Sequence, residues 1–445
     1  MAKRYFVIGA GVAGISAAEE IRRGDESAEI TVINGESYPF YRRLSLSTYL
    51  QGHTTLPALI VKQPQDYEAL AITVLQDRVS QLEADHNRLM LESGEVCNYD
   101  GLVIATGGKA LRPPIEGLEL TGVRLGYWDI EDTLWYEERA KQVQGRKARA
   151  VVVGGGVLGL ELADCLNKAG LEVTVLQLTN WLGDPLADEL AGRMIEERVR
   201  ESGADYRVGT SATRLLSDEH GHVRAVVTST GEEIAADMVG ICCGIQPNVS
   251  WLEGSGVRLE RGCVAVNEVL GTNYANIYAA GDCTWVQGGM MIGRRPNRTW
   301  QVATLQGLVA AQNLLGAKRV YDEGLFYNAG VLYDLPYTLL GKFNPAPEEG
   351  CESRLYDTAG DPFAYFKLNF QDGRLVGALL LGQQRRTPVL RKIMEGNYIV
   401  TGHEHELMDL KFKPKGLPVA DINNAGDAEV ESKLAAYAKA AQATT

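Results

Sequence analysis

Apolar and polar positions along the chain follow one pattern twice. Near the start, the apolar run Tyr5-Phe6-Val7-Ile8 ends in Gly9-Ala10-Gly11-Val12-Ala13-Gly14, which opens a helically spaced stretch from Ile15 to Ile21 and then a second run, Ile30-Thr31-Val32-Ile33. That order predicts strand, glycine turn, helix, strand. It recurs 145 residues further on (154 − 9), where Val151-Val152-Val153 leads into Gly154-Gly155-Gly156-Val157-Leu158-Gly159, a helix through Cys165-Leu166, and the strand Glu172 to Leu176. Strands that alternate with helices in this way predict parallel sheets, and hence two open α/β domains. From about residue 321 the pattern changes. Tyr337 to Leu340, Ala364 to Asn369 and Leu375 to Leu381 read as strands, Phe370-Gln371-Asp372-Gly373-Arg374 as a hairpin signal and Val389 to Met394 as a helix, giving an α+β region. Val430, Leu434, Tyr437 and Ala441 then fall at helical spacing in a short, weakly apolar tail.

The glycine turns carry specific physics. In GxGxxG the first glycine (Gly9, Gly154) makes the tight turn, the second (Gly11, Gly156) lets backbone approach a pyrophosphate, and the third (Gly14, Gly159) lets the helix pack on the sheet. The helix N-terminus, through Val12-Ala13 or Val157-Leu158, then offers free N–H groups and partial positive charge to the phosphates. Two copies, each between a strand and a helix, point to two dinucleotide sites. An acid about 20 residues on is expected to hold a ribose hydroxyl. Glu36, 22 residues after Gly14, serves the first site, whereas the second has Gln177, with no Lys or Arg in Leu178-Thr179-Asn180-Trp181 to grip a 2′-phosphate. Three outcomes stay open there: NADH bound modestly, NADPH without its clamp, or neither.

Length and charge narrow the class. At 445 residues the chain is about three ordinary domains of roughly 150 residues. Its balance of 44 − 57 = −13 argues against nucleic acid as a partner. Seven cysteines form no CxxC and no Cys/His ligand set, so neither a metal nor a dithiol centre is expected. Cys165 reads as a small buried residue, and Cys242-Cys243 would point to opposite faces of a strand over Met238 to Cys243. His403-Glu404-His405 lacks a third ligand and reads as a solvated loop. Only Met-Ala-Lys-Arg precedes the first apolar run, and nowhere do about 18 apolar residues run together. The expectation is a cytoplasmic protein with reduced thiols and no membrane contact; a homo-oligomer is compatible with the sequence.

Further segments carry a resemblance. Tyr38-Pro39-Phe40-Tyr41-Arg42-Arg43-Leu44-Ser45-Leu46-Ser47 is similar to a YxRPxLS element, Tyr99-Asp100-Gly101-Leu102-Val103-Ile104-Ala105-Thr106-Gly107 to a YDxLxIATG strand, and Ile277-Tyr278-Ala279-Ala280-Gly281-Asp282 to a second flavin motif. With Gly244-Ile245-Gln246-Pro247-Asn248 and both fingerprints, the chain from about 4 to 400 resembles the FAD-dependent pyridine nucleotide-disulfide oxidoreductases that lack redox cysteines. That branch contains rubredoxin reductases, dioxygenase ferredoxin reductases and the flavin half of assimilatory nitrite reductase.

The resemblance implies FAD in the first domain. Glu36 would hold its adenosine ribose, Arg43 and Ser47 would lie near pyrophosphate and flavin, Val79 at the adenine, Ala105-Thr106-Gly107 along the chain, Gly281-Asp282 at the ribityl or pyrophosphate and Trp300 beside the flavin ring. NADH or NADPH would use Gly154 to Gly159, Gln177 and Gly244. Departures are concentrated on the nicotinamide side. Thr48 stands where a lysine often pairs with the residue matching Glu161, so Glu161 is open between a catalytic role and a local helix contact, and Gln246 replaces an arginine. Ser45 and Ser47 occupy a segment where some relatives carry a redox cysteine, which disfavours thiol turnover.

The implied architecture is α/β. It comprises a flavin domain over 1–112 and 240–320, a nicotinamide-type domain over 113–239, an α+β interface domain over 321–410, and a linker with a tail helix over 411–445. Electrons would pass from NAD(P)H, with NADH expected, to a ferredoxin- or rubredoxin-like carrier. Alternatives are a small-molecule reductase, a module of a larger nitrite-reductase-like assembly, or an FAD-binding interaction protein with a decayed nicotinamide site. Carriers of this kind are usually acidic, so a basic docking rim is sought at Arg294-Arg295 with Arg298, or at Arg385-Arg386 with Arg391-Lys392.

Overall fold

The structure, a computed structural model, describes residues 2–142, 148–289, 291–292, 295–356 and 364–420. Its first sheet holds five parallel strands in the spatial order Ile277–Ala279, Gly101–Ile104, Arg4–Ile8, Glu29–Asn34 and Ile72–Gln76. The central strands are buried along nearly their whole length, as a parallel sheet covered on both faces requires. Helix Val12–Gly24 covers one face, and helix Trp300–Leu314 lies against it so closely that a Cβ on Gly307 would stand 2.2 Å from the Ala13 carbonyl oxygen. The first hundred residues and the segment 277–314 therefore build one domain.

A second parallel sheet has the order Asp205–Arg207, Glu172–Leu176, Arg149–Val153, Met238–Ile241 and Val123–Leu125. The boundary expected between residues 239 and 240 runs through Met238–Ile241, a fully buried strand paired along Arg149–Val153. The chain leaves this sheet only after Ile241; Cys242 and Cys243 lie in the crossover rather than in the strand. Both fingerprint helices run longer than their apolar spacing predicts, as Val12–Gly24 and Val157–Lys168.

The third region is an antiparallel sheet ordered Tyr327–Leu332, Leu335–Gly341, Arg374–Leu381, Tyr365–Gln371 and Glu352–Tyr356, with helix Thr387–Glu395 packed on it. Its hairpin turn at Asp372 and Gly373 has φ of 52° and 72°, the conformation that the Asp-Gly pair favours. The edge strands Tyr327–Leu332 and Glu352–Tyr356 go beyond the sequence reading, because both are only partly buried and show weak alternation. A partly buried ion pair ties this sheet to the second domain: Lys367 Nζ lies 2.5 Å from Asp188 Oδ2, to which Tyr365 also donates at 2.7 Å. Asp188 caps helix Glu189–Glu201 through the Ala191 N–H. The expected tail helix around Val430 lies outside the described residues. Among the described residues, no helix is long and apolar enough to cross a membrane.

Candidate functional site

Both glycine fingerprints have the same packing. Gly9 has φ +109° and a Cβ there would meet the Ala105 oxygen at 2.3 Å, while one on Gly14 would meet the Gly9 oxygen at 1.9 Å. In the second copy Gly154 has φ +112° with the Cys242 oxygen at 2.3 Å, and Gly159 faces the Gly154 oxygen at 1.8 Å. The middle glycines differ from these: a Cβ on Gly11 or Gly156 would meet nothing within 4 Å. Each loop is closed behind and open in front, and its helix starts at once with Val12 or Val157.

A cavity of ≈1300 Å³ runs from the first loop to the seam with the other two domains. Gly9, Gly11, Val12 and Ala13 form one end, with Glu36 and Val79 beside them; Gly14 lies behind, under the helix. Arg43 and Ser47 enter from the segment after the second strand, Ala105-Thr106-Gly107 from a strand end, and Gly281-Asp282 with Trp300 from the returning chain. The second domain contributes Val157, Leu158 and Glu161. Gly154, Gly156, Gly159, Gln177 and Gly244 are not part of the wall. Gly244 instead sits at the crossover, where its carbonyl accepts the Leu111 N–H at 2.9 Å.

Charges in the cavity are organised around Glu36 and Asp282. Arg43 Nη2 lies 2.6 Å from Glu36 Oε1, the Tyr41 hydroxyl donates to Oε2 at 2.7 Å, and Arg43 Nη1 donates to the Trp128 carbonyl. Burial raises the Asp282 carboxyl, while the Arg298 and Arg43 guanidinium groups pull it back down. Trp300 stacks on Phe40 with centroids 5.8 Å apart.

Among the described residues of the two expected docking rims, Arg298 lines the cavity and Arg386 is buried, while Arg385 and Lys392 are exposed. Arg298 lines the cavity wall, with Nη1 3.5 Å from the Ile245 carbonyl, Nη2 3.6 Å from Cys263 Sγ and a buried, unpartnered Nε. Thr299, the next residue, caps helix Trp300–Leu314 by accepting from the Val302 N–H. Arg294 and the Arg295 side chain lie outside the described residues. In the second patch Arg386 is 3% exposed and donates to the Leu407 carbonyl at 2.8 Å, and Arg391 is paired with Glu395 at 2.8 Å. Sequence charge does not report burial: Arg386 fills a polar gap in the interior, whereas Arg391 stays at the surface with Glu395.

At the second fingerprint, Gln177 is 7% exposed; its Oε1 accepts the Gly155 N–H at 2.7 Å and its Nε2 donates to Thr179 at 2.6 Å. Arg207, on the neighbouring strand, is committed to Asp205 at 2.6 Å and Glu232 at 3.1 Å. Glu161 projects from the helix into the cavity, where burial first and the nearby Asp164 second push its carboxyl up to about 7. Cys165 is buried with its thiol raised to about 12, and Sγ donates to the Ser47 carbonyl at 3.7 Å. His403 pairs with Glu406 at 2.9 Å, and His405 packs edge-on against Tyr356. Sequence reasoning missed Phe40, Gln51, Asp164 and Lys168, all on the cavity wall. The last two were within reach, at three and seven residues after Glu161 on one helix face.

The residues present fit FAD: an open-fronted loop for a pyrophosphate, two guanidinium groups inside the cavity and an aromatic pair on its wall. Fold and site together define an α/β protein with two glycine-fingerprint domains around one large cavity. Residues 3–307 match the pyridine nucleotide-disulphide oxidoreductase family, and the chain belongs to it. The family uses FAD and NAD(H). The chain is 28% identical over 385 residues to the nitrite reductase [NAD(P)H] of Bacillus subtilis (strain 168), covering 85% of this chain and 46% of that protein, so it spans about half of that relative's length. It is 30% identical over 396 residues to the ferredoxin–NAD(+) reductase component of the anthranilate 1,2-dioxygenase system of Burkholderia cepacia, covering 88% of this chain and 93% of that one. A solved ferredoxin reductase from Rhodopseudomonas palustris shares the fold with a TM-score of 0.80 at 24% identity, over 88% of this chain and 94% of its own.

Proposed function

We propose that the chain is an FAD-dependent oxidoreductase that takes electrons from NADH and passes them to a ferredoxin- or rubredoxin-like carrier. The observation that carries this reading is one cavity walled both by the first fingerprint loop and by Glu161 of the second fingerprint helix. When bound, the flavin accepts a hydride and releases its electrons singly or together.

The protein's part is to bind, orient and hold protons. The open front of Gly11, with the helix N-terminus behind it, binds pyrophosphate, assisted by Arg43 and Arg298. Glu36 is placed for the adenosine ribose once the nucleotide competes with Arg43 and Tyr41 for its oxygens. Val79, Ala105-Thr106-Gly107, Ser47 and Gly281-Asp282 line the remainder of the FAD site, and the Trp300–Phe40 stack forms its aromatic wall. Glu161, with a carboxyl near neutrality, is suited to hold or release a proton beside the ring. The nicotinamide nucleotide uses the open front of Gly156, with Gln177 at the ribose position and Gly244 in the crossover. NADH is favoured over NADPH because Arg207 is already committed to two carboxylates.

A second reading, an FAD-binding interaction protein with a decayed nicotinamide site, draws on Gln177, whose amide is spent on Gly155 and Thr179. The half-length match to nitrite reductase favours a module of a larger assembly as an alternative. Anaerobic stopped-flow mixing of the FAD-loaded protein with NADH, then NADPH, tests these readings. Fast loss of the flavin band with NADH supports the proposal. No bleaching by either nucleotide, in protein that dithionite still reduces, refutes it in favour of the decayed site.

A further inference from the structure

One turn beyond Glu161, the second fingerprint helix carries Asp164, and three domains meet on its carboxylate. Asp164 is 4% exposed. From the flavin domain, Gln51 Nε2 donates to Oδ2 at 3.3 Å; from its own helix, Lys168 Nζ lies 3.0 Å from the same oxygen; from the third domain, the backbone of Tyr333 comes close enough to lower the carboxyl. Lys168 also reaches Asp334 Oδ1 at 2.8 Å.

Tyr333 and Asp334 form the turn between strands Tyr327–Leu332 and Leu335–Gly341, and both are left-handed, with φ of 49° and 61°. Both are the positive-φ positions that a two-residue hairpin turn requires, so the turn presents Tyr333 and Asp334 in a fixed geometry. Here the turn is pinned at one position by Asp164 and at the next by Lys168. Glu161, Asp164, Lys168 and Asp334 all line the flavin cavity. Glu161 and Asp164 stand three residues apart on one helix face, so an ionised Asp164 opposes a second negative charge on Glu161.

We infer that Asp164 is a positioning residue: by gathering the flavin domain, the second fingerprint helix and the third domain onto one carboxylate, it sets the charge Glu161 meets and ties Glu161's protonation to the seating of all three domains. This rests on the proposed reading of Glu161 as the group that holds a proton in the cavity. Burial raises the Asp164 carboxyl, and the Lys168 ammonium draws it back down. The other titratable neighbours of Glu161 are Cys165 on its own helix, Tyr127 ahead of helix Ile130–Gln142 and Tyr337 on the third sheet, all of them neutral near pH 7 because burial raises them. On the flavin-domain wall, Thr48 and Gln51 carry no charge.

The test is a carboxyl-carbon NMR titration of the full chain labelled on glutamate, with and without FAD, the Glu161 signal being assigned by its loss in Glu161→Gln. The wild-type signal is expected to titrate at about 7. Asp164→Asn should lower that midpoint by about one pH unit, as loss of a neighbouring like charge does. Asp334→Asn, at a 70% exposed carboxylate, should leave it in place. Lys168→Met, which removes the counter-charge of Asp164 and keeps its carboxyl, should split the single step into two coupled ones as Asp164 begins to share the proton. No step near 7 that Glu161→Gln removes overturns the reading of Glu161 itself. A step near 7 that neither Asp164→Asn nor Lys168→Met alters overturns the role of Asp164 alone.

Discussion

Replacing Gly11 or Gly156 by alanine separates the two nucleotide sites. Both residues cap their helices in extended conformation, with φ of −74° and −78°, which alanine adopts freely, and a Cβ at either position meets nothing within 4 Å. The folding cost is the weaker N-cap, partly offset by the lower entropy of the unfolded chain, for a net change within about 1 kcal/mol. The added methyl, however, stands at the open front of the loop. Holding a phosphate off by that methyl forfeits one charge-assisted hydrogen bond, worth about 1.5–3 kcal/mol, or roughly ten- to a hundred-fold in affinity. Gly11→Ala should therefore bind FAD at least about tenfold more weakly while its apo form melts within a few degrees of wild type. Gly156→Ala should stay yellow and bind NADH at least about tenfold more weakly. Fluorescence titration of each apoprotein with FAD, and of each holoprotein with NADH under anaerobic conditions, reads both numbers. Wild-type FAD affinity in Gly11→Ala, or loss of flavin from Gly156→Ala, would refute the assignment of the two loops.

Three further outcomes follow from the packing and the charges. Lys367→Met leaves Asp188 with Tyr365 and the Ala191 N–H alone and should cost about 2–3 kcal/mol in urea unfolding; because Lys367 holds the Asp188 carboxyl below its usual value against burial, that stability is present above the ordinary carboxylate range and is lost as pH falls through the depressed value. The rate of flavin reduction by NADH should change through pH about 7, and Glu161→Gln should flatten the profile; the same raised carboxyl binds a proton that the unfolded chain has released, so its contribution to stability declines as pH rises from the usual glutamate range through about 7. Gly307→Ala forces a methyl to 2.2 Å from the Ala13 carbonyl oxygen, and should lower the melting temperature and release FAD together, in contrast to Gly11→Ala.

The parts of this molecule legible in its sequence are those encoded locally. Gly9 and Gly154 announce themselves because strand, turn and helix are contiguous, and Glu36 because its distance from Gly14 is set by one helix and one strand. Trp300 is singled out only by the family resemblance, and it stands on the cavity wall. What escaped depends on contacts between distant segments. The guanidinium groups of Arg298 and Arg386 look like surface charge in the sequence, yet one lines the cavity and the other donates to the Leu407 carbonyl. Nothing in the neighbourhood of Gln51 or Tyr333 along the chain reveals that both reach Asp164, which lies 113 residues from Gln51. The end of the second domain was misjudged for a related reason: the apolar run Met238 to Cys243 shows where a strand lies, and only its pairing with Arg149–Val153 shows which sheet owns it.

The contact of Gly307 with Ala13 also bears on the order in which the chain can fold as it is made. The second sheet draws all its strands from the continuous stretch between Val123 and Ile241, so this domain can close while later residues are still being added. The first domain cannot: its edge strand Ile277–Ala279 and the helix that seals Val12–Gly24 arrive last, after the inserted domain. Until then the apolar face of helix Val12–Gly24 is uncovered, which makes the half-made flavin domain the stage most exposed to aggregation and to chaperones. Completion of the cavity is a late event for the same reason, since Asp282 and Trp300 join its wall only with the segment that follows the inserted domain.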